Sequence, residues 1–528
     1  MQALSQVLAR TIRHNGDSTA ILDGDLELDY RMFGARVARA AGVLAALGIG
    51  PGDRYAIYAR NGARFEELKW AGFQSGAVSV PINWRLAPQE VAHILSDASC
   101  RAVFVDDEFV PAFEADSLRQ WNQSLVLLST GDPGHGWPSY DDLYAAAEPV
   151  PYTDRVDADD DAILIYTAGT TGPSKGVRLS HTNIVSNSVA FGLAVQARPD
   201  DIFLHVAPMF HSSDLLATVW FMLGGGHCYL PDFTPQAFLG VIERHRVTST
   251  IVVPAILIAT LPNPAFAQAD ISSLRTLVSG GAPLDAAWVK RTAEAMPHVE
   301  FSNCYGLTEA SPEVTVSDPR AFRAAIEGGD TNGPVAAVGK PNVFNELRIV
   351  GSDGAEMPAG EPGELWVRGP NITKGYLNRP EETAAAIEDG WLKTGDIARI
   401  DEEGYLYLLD RKKDMIITGG ENVYSSEVEA ALYQHPAVHE CAVIGVKDQR
   451  LGEALFAVIV PRPGTAPSED DIIAHCRTLI GGYKIPRRMV FVPEMPKSAM
   501  GKILKTELRQ IYDQPGTSTG AVSASAGT

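Results

Sequence analysis

The chain has 528 residues, 45% of them hydrophobic and 21% charged, so it can bury a large core and is not a disordered chain. At about 150 residues per domain it divides into roughly three or four compact units. Acidic residues outnumber basic ones 65 to 44, a formal charge of −21, which excludes a general binder of nucleic acid or anionic membrane and leaves room for a local basic site.

The N-terminus, Met1 to Asp17, lacks an apolar core followed by a small-residue cleavage site, so no secretory signal is expected. Arg54–Arg60 reads as a strand, Arg64–Gln74 as an amphipathic helix and Ala77–Ile82 as a strand. Pro88–Ser96 reads as a helix and Arg101–Val105 as an apolar strand. Such alternation predicts βαβ units around largely parallel sheets. It recurs from Ala162 to Asn303, with strands at Thr250–Val253, Thr276–Val278 and Val299–Phe301. After about residue 340, short strands separated by turns predict antiparallel hairpins at 345–354, 363–369 and 404–414. From Glu427 a small α+β unit follows, with helices Glu427–Tyr433 and Glu469–Leu479 and strands Ala442–Val446, Ala454–Val460 and Met489–Val492. The Gly/Ser/Thr/Ala-rich end from Pro515 is expected to be disordered.

The most apolar stretch, Thr250–Leu261, is too short to span a bilayer and contains Pro254. Five scattered cysteines (Cys100, Cys228, Cys304, Cys441, Cys476) form no CxxC. An odd, unpaired set argues against a disulfide framework and for a reducing, cytoplasmic setting.

The chemistry-bearing run is Ile163 to Val177, ILIYTAGTTGPSKGV. An apolar strand enters a loop of Gly, Thr and Ser that ends at Lys175. Glycines allow close backbone approach, successive amides can form an anion nest, and the hydroxyls and the lysine add donors. The set suits a polyphosphate. It is not a Walker A loop, because Lys175 is followed by Gly176.

Thr167 to Gly176 resembles the phosphate loop of the adenylate-forming (ANL) superfamily, which holds acyl-CoA synthetases, aryl-CoA ligases, luciferases and adenylation domains. Further matches follow in family order over nearly the whole chain. Each has a plainer local reading: a structural histidine, a capped helix start, a turn aspartate, a solvated charge run and a surface lysine. Their order argues against those. The resemblance places His211 of Ala207–His211 at the mouth of the acyl pocket. In Asn303–Glu309 (NCYGLTE) it gives Tyr305 to adenine stacking, Thr308 to phosphate and Glu309 to Mg²⁺, with Thr170 as a second metal and catalytic group. One or two carboxylates beside phosphate oxygens is what Mg²⁺ takes.

By the same resemblance, Asp396 of Gly390–Asp396 accepts the ribose hydroxyls, Arg411 contacts ribose and phosphate, and Lys413 is the hinge between domains. Gly419 and Gly420 line a pantetheine tunnel. Lys502 of Pro496–Ile503 is the catalytic lysine, with Ser498 where threonine is usual. The nucleotide and CoA set is completed by Thr167, Gly169, Thr170, Thr171, Gly172, Lys175, Gly281, Ala282, Pro283, Asn303 and Gly306.

The expected fold is α/β. Residues 1–412 form a large N-terminal domain of two βαβ-type lobes and a small β lobe, 413–513 a smaller mobile α+β domain, and 514–528 a disordered tail. The implied activity is an AMP-forming carboxylate–CoA ligase using ATP, Mg²⁺ and CoA. The acid attacks the ATP α-phosphate, pyrophosphate leaves, and the CoA thiol then displaces AMP. Pocket candidates are Met209, Ser212, Ser213, Val253, Ser279, Gly280, Gly281, Gly306 and Val314. They are small or apolar and carry no charge, so a fatty or aryl acid is expected. Loading of a carrier-protein thiol is the alternative, a non-catalytic nucleotide-binding homologue the less favoured one, and a homodimer stays open.

Overall fold

The computed structural model describes residues 2–128, 136–152, 155–167, 173–282, 284, 286–329, 333–419, 421–448, 450–497 and 503–513. The chain divides into two compact units: Met1–Arg348 with Trp366–Thr394 and Ile400–Tyr407, and Ile349–Leu365 with Gly395–Arg399 and the chain from Leu408 onward.

The first unit is α/β. Its nine-stranded sheet has the order Lys340–Pro341, Glu313–Val316, Glu300–Gly306, Thr276–Ser279, Ser249–Val252, Ile202–His205, Gly226–Tyr229, Thr19–Asp23, Leu26–Asp29. Pairing is parallel from Glu300–Gly306 to Thr19–Asp23 and antiparallel at both edges. The six-stranded sheet runs Leu125–Leu127, Val103–Val105, Arg54–Tyr58, Val78–Pro81, Asp161–Thr167, Lys175–Ser180, antiparallel only at the last pair. Central strands such as Thr276–Ser279 and Val78–Pro81 are buried at every residue, as strands covered on both faces must be. The βαβ alternation expected from the sequence is borne out.

Helix Ala63–Ser75 is amphipathic by spacing, yet Glu66, Glu67 and Lys69 are as buried as Phe65, Leu68, Trp70 and Phe73. It ends at Gly76, which takes φ +77° and donates its N–H to Gly72, a left-handed cap that a side chain would strain. Two helices unexpected from the sequence, Pro319–Glu327 and Pro380–Ala386, each carry proline in the first turn, where its missing N–H costs nothing.

Between residues 346 and 411 lie the expected short strands Glu346–Val350, Gly363–Arg368 and Leu406–Arg411, and a further strand, Trp391–Ile400, that is unexpected from the sequence and carries Asp396. In the second unit, Val438–Asp448 and Gly452–Pro461 form a long hairpin, with Arg488–Phe491 parallel to the second strand. Helices Ser425–Tyr433 and Glu469–Arg477 cover one face through Val428, Leu432, Ile472 and Cys476, while Leu508 of helix Lys505–Tyr512 belongs to a second apolar cluster. Among the described residues no helix is long and apolar enough to cross a membrane.

Strand Glu313–Val316 buries a carboxyl. Glu313 is 1% exposed, and Oε2 accepts from Asn342 Nδ2 at 3.0 Å while Oε1 has no partner among the described residues. Burial pushes it up to about 8. The folded chain therefore keeps a proton there that the unfolded chain releases near 4.5. Stability from this group is complete below that value and is lost as pH rises towards 8. Glu313→Gln is expected to flatten this loss and raise stability at pH 7 by roughly 1–3 kcal/mol, read from urea unfolding at pH 5, 7 and 8.

Candidate active site

The phosphate-loop run folds as a strand pair. Thr167 and Lys175 are cross-strand partners in the antiparallel ladder of Asp161–Thr167 and Lys175–Ser180. The tip, including Gly169, Thr170, Thr171 and Gly172, lies outside the described residues. Lys175 Nζ is ion-paired to Glu382 and stands 5.1 Å from the Tyr376 ring centroid. The Tyr376 hydroxyl donates to Glu309 Oε1 at 2.9 Å. Burial and then the Glu309 charge push that phenol well above its usual range, so it stays a donor. One tyrosine thus ties the phosphate-loop lysine to the expected metal carboxylate.

Glu309 follows strand Glu300–Gly306 in a one-turn 3₁₀ helix, Thr308–Ala310. A Cβ on Gly306 would lie 1.9 Å from the Pro312 carbonyl oxygen. The glycine is therefore required by close backbone approach, while a Cβ on Gly280 would meet the Cys304 side chain, Sγ at 2.5 Å. Both were expected as pocket walls, and this packing accounts for them without a ligand.

Thr308 joins the other side of the site. Its hydroxyl lies 3.2 Å from Ser212 Oγ, next to His211. His211 caps the turn Ser212–Ala217, its Nδ1 3.2 Å from Ser213 Oγ. The segment before it is held by Asn61, which the sequence did not single out. Asn61 Nδ2 donates to the carbonyls of His205 (3.1 Å) and Ala207 (2.9 Å), and Oδ1 accepts from Met209 N at 2.8 Å. Met209, Ser212, Ser279 and Val314 are buried, whereas His211, Ser213 and Val253 are half-buried and Gly281 and Ala282 exposed.

At the C-terminal ends of the parallel strands, Ser279 and Asn303 are register partners. Ser279 Oγ and Asn303 Oδ1 are both buried with no partner among the described residues. Buried polar atoms normally have partners, and strand ends of this kind are where α/β sheets bind ligands. Tyr305 is 8% exposed two residues on. Pro283 lies outside the described residues.

In the second unit, buried Asp396 and Arg411 are brought together, with Nε to Oδ1 at 2.8 Å. The Lys413 carbonyl accepts from Arg509 Nη2 at 3.4 Å, while Arg509 also pairs with Asp414 at 2.8 Å. Burial lowers the Lys413 ammonium from its ordinary value. Gly419 takes φ +62° and its N–H donates to the Leu451 carbonyl. Lys497 and Ile503 bridge antiparallel, and Leu504 N donates to Pro496 O at 2.8 Å. Gly420, Ser498 and Lys502 lie outside the described residues.

Comparison with known proteins shows the family of the chain. The AMP-binding enzyme profile matches residues 8–377, and the AMP-binding enzyme C-terminal domain profile matches residues 427–502. A feruloyl-CoA synthase from Amycolatopsis sp is 38% identical over 513 residues, 97% of this chain and 99% of that protein. The long-chain-fatty-acid–CoA ligase FadD13 of Mycobacterium tuberculosis (strain ATCC 25618 / H37Rv) is 35% identical over 497 residues, 92% of this chain and 94% of that protein. The ATP-bound crystal structure of MatB from Rhodopseudomonas palustris superposes with a TM-score of 0.85 at 31% identity, covering 96% of this chain and 99% of that one.

Asn61→Ala strands two carbonyls and one N–H around the His211 segment. It is expected to destabilise the chain by about 2–3 kcal/mol, read from urea unfolding, with Asn61→Asp recovering only the Met209 contact.

Proposed function

Since the chain belongs to the AMP-binding enzyme family, we propose that it is an AMP-forming acid–thiol ligase. It activates a carboxylic acid with ATP as an acyl-adenylate, releases pyrophosphate, and passes the acyl group to CoA with release of AMP. The observation that carries this reading is the double tether of Thr308–Glu309, to Ser212 on the acyl side and through Tyr376 to Lys175 on the phosphate side.

The barrier to the first step is repulsion between two anions, the substrate carboxylate and the triphosphate. Lys175, the amides and hydroxyls of Thr167 to Gly172, and Lys502 lower it by placing donors where charge redistributes. Glu309 and the Thr170 hydroxyl are an oxygen-only donor set, which suits Mg²⁺; bound there, the ion would neutralise phosphate charge. Asn303 Oδ1 and Ser279 Oγ are acceptors for donors on the nucleotide, the Tyr305 ring is its stacking face, and Asp396 with Arg411 takes the ribose. None of these groups must become a covalent nucleophile.

The acid is proposed to carry a neutral apolar tail, aryl or alkyl, because Ser213, Val253 and Gly281 offer it no charge. The setting is proposed to be cytoplasmic. All five cysteines are free, and burial pushes the Cys100 thiol up to about 12, so it resists oxidation.

The test is pyrophosphate release with ATP and Mg²⁺ over a panel of fatty and aryl acids, with and without CoA. Acid-dependent release without thioester formation would redirect the second step to a carrier thiol. Lys502→Ala is expected to lose about 100-fold or more in adenylation while still forming thioester from presynthesised acyl-adenylate; equal loss in both half-reactions refutes its role. Glu309→Gln is expected to raise the Mg²⁺ concentration needed for half-maximal adenylation, and Tyr376→Phe to raise it less. Unchanged titrations would move the metal elsewhere.

A further inference from the structure

Beneath the His211 turn lies a charged cluster that the proposed reaction does not use. Lys69 Nζ is 2.5 Å from Asp214 Oδ2 and 2.9 Å from Glu66 Oε1, and the three side chains are 4%, 2% and 0% exposed. His205 Nδ1 meets the other Asp214 oxygen at 2.6 Å, and His205 Nε2 lies 3.0 Å from His227 Nδ1. Trp70 Nε1 donates to Glu66 Oε1 at 2.9 Å. Burial alone would raise the Asp214 carboxyl; Lys69 and His205 outweigh it and hold it at about 2.

Glu66, His205 and Asp214 have the spacing of a metal site. The Lys69 ammonium, bonded to both carboxylates, already supplies the cation there. A structural purpose is also a poor explanation. An ion pair taken out of water gains little over well-packed apolar side chains of the same volume. What it adds is direction. The two Asp214 oxygens meet Lys69 and His205 together in one placement of the backbone, whereas apolar contacts tolerate sliding.

That backbone is the His211 turn. Asp214 N donates to the His211 carbonyl at 3.1 Å. Lys69 comes from the buried helix Ala63–Ser75 and His205 from the end of a central strand, so the turn is clamped to two buried elements of regular structure. Asn61 holds the segment before His211, and Asp214 holds the segment after it.

We propose that Asp214, fixed by Lys69 and His205, is a positioning residue that sets the place of His211 for the carboxylic acid. The proposal rests on the reading of His211 as an acyl-site group and goes beyond it.

Asp214→Ala leaves the buried Lys69 ammonium with Glu66 alone and takes the Nδ1 partner from buried His205, and can unfold the chain. The test therefore uses Glu66→Gln/Lys69→Met/Asp214→Leu, which removes all three charges, with His211→Ala made in both backgrounds. Acid-dependent pyrophosphate release gives kcat and KM for acid and for ATP, and thermal unfolding gives the melting point. The charge-free variant is expected to melt near the parent and keep its KM for ATP within about twofold, while kcat/KM for the acid falls about tenfold or more. His211→Ala is expected to cost about tenfold or more in the parent but under about threefold in the charge-free background, because coupled residues are not additive. Parent-like acid kinetics, or the same His211→Ala cost in both backgrounds, overturns the proposal. A silent His211→Ala in the parent refutes the reading of the histidine and the positioning claim with it, a result distinct from an important histidine above a dispensable cluster. If the charge-free variant melts far below the parent, Asp214→Asn, which keeps the shape and loses the ion pair, carries the same comparison with a smaller expected loss.

Discussion

The site depends on a chain reversal that only a glycine permits. Strand Glu300–Gly306 is the last parallel strand of the large sheet, and the chain returns at once as antiparallel Glu313–Val316. Leu307 N donates to the Pro312 carbonyl at 2.9 Å, and that same carbonyl oxygen fills the space where a Gly306 Cβ would stand. Because the two backbones close this tightly, Thr308 and Glu309 are held at the strand end. Thr308 then meets Ser212 and Glu309 meets Tyr376. The segment after His211 and the Tyr376–Lys175 pair are thus registered against each other through two neighbouring residues whose placement rests on backbone packing.

Around this turn the first unit buries charged and polar side chains. Helix Ala63–Ser75 places Glu66, Glu67 and Lys69 in the interior, and each finds charged partners: Glu67 takes Arg36 at 2.5 Å, while Glu66 and Lys69 belong to the Asp214 cluster. Asn61 satisfies three backbone groups of the segment leading to His211. Directional bonds of this kind fix one arrangement where a uniformly apolar core would accept several. The arrangement has consequences at the strand ends, where Ser279 Oγ and Asn303 Oδ1 keep no partner among the described residues.

The sequence disclosed the parts whose chemistry is contiguous. Thr167 to Gly176, Asn303 to Glu309 and Pro496 to Ile503 each concentrate several functional groups within a few positions, and the βαβ texture reports itself through strand and helix periodicity. What stayed hidden is carried by long-range pairs. Tyr376 and Glu309 are 67 positions apart, Asn61 and Met209 148, and Lys69 and Asp214 145, so no local spacing betrays them. Helix Ala63–Ser75 shows why periodicity alone misleads: its polar residues follow helical spacing as a solvent face would, and they are buried against partners from elsewhere in the chain. Glycines carry packing information that the sequence does not display: a Cβ on Gly306 would strike the Pro312 carbonyl, and one on Gly280 the Cys304 side chain.

The unpartnered oxygens and the clamped His211 turn bear on one another. Ser279 Oγ and Asn303 Oδ1 are buried with no partner among the described residues, and a buried acceptor left without a donor costs on the order of 1–3 kcal/mol. Such a group persists only where the surroundings cannot relax to cover it. Ser279 ends a fully buried parallel strand and Asn303 is its register partner on the neighbouring strand, so neither backbone can shift without disturbing the ladder. Rigid strands on one side and a turn pinned by an ion pair on the other make the same physical choice: polar groups are held in one place by a backbone ladder and by paired charges.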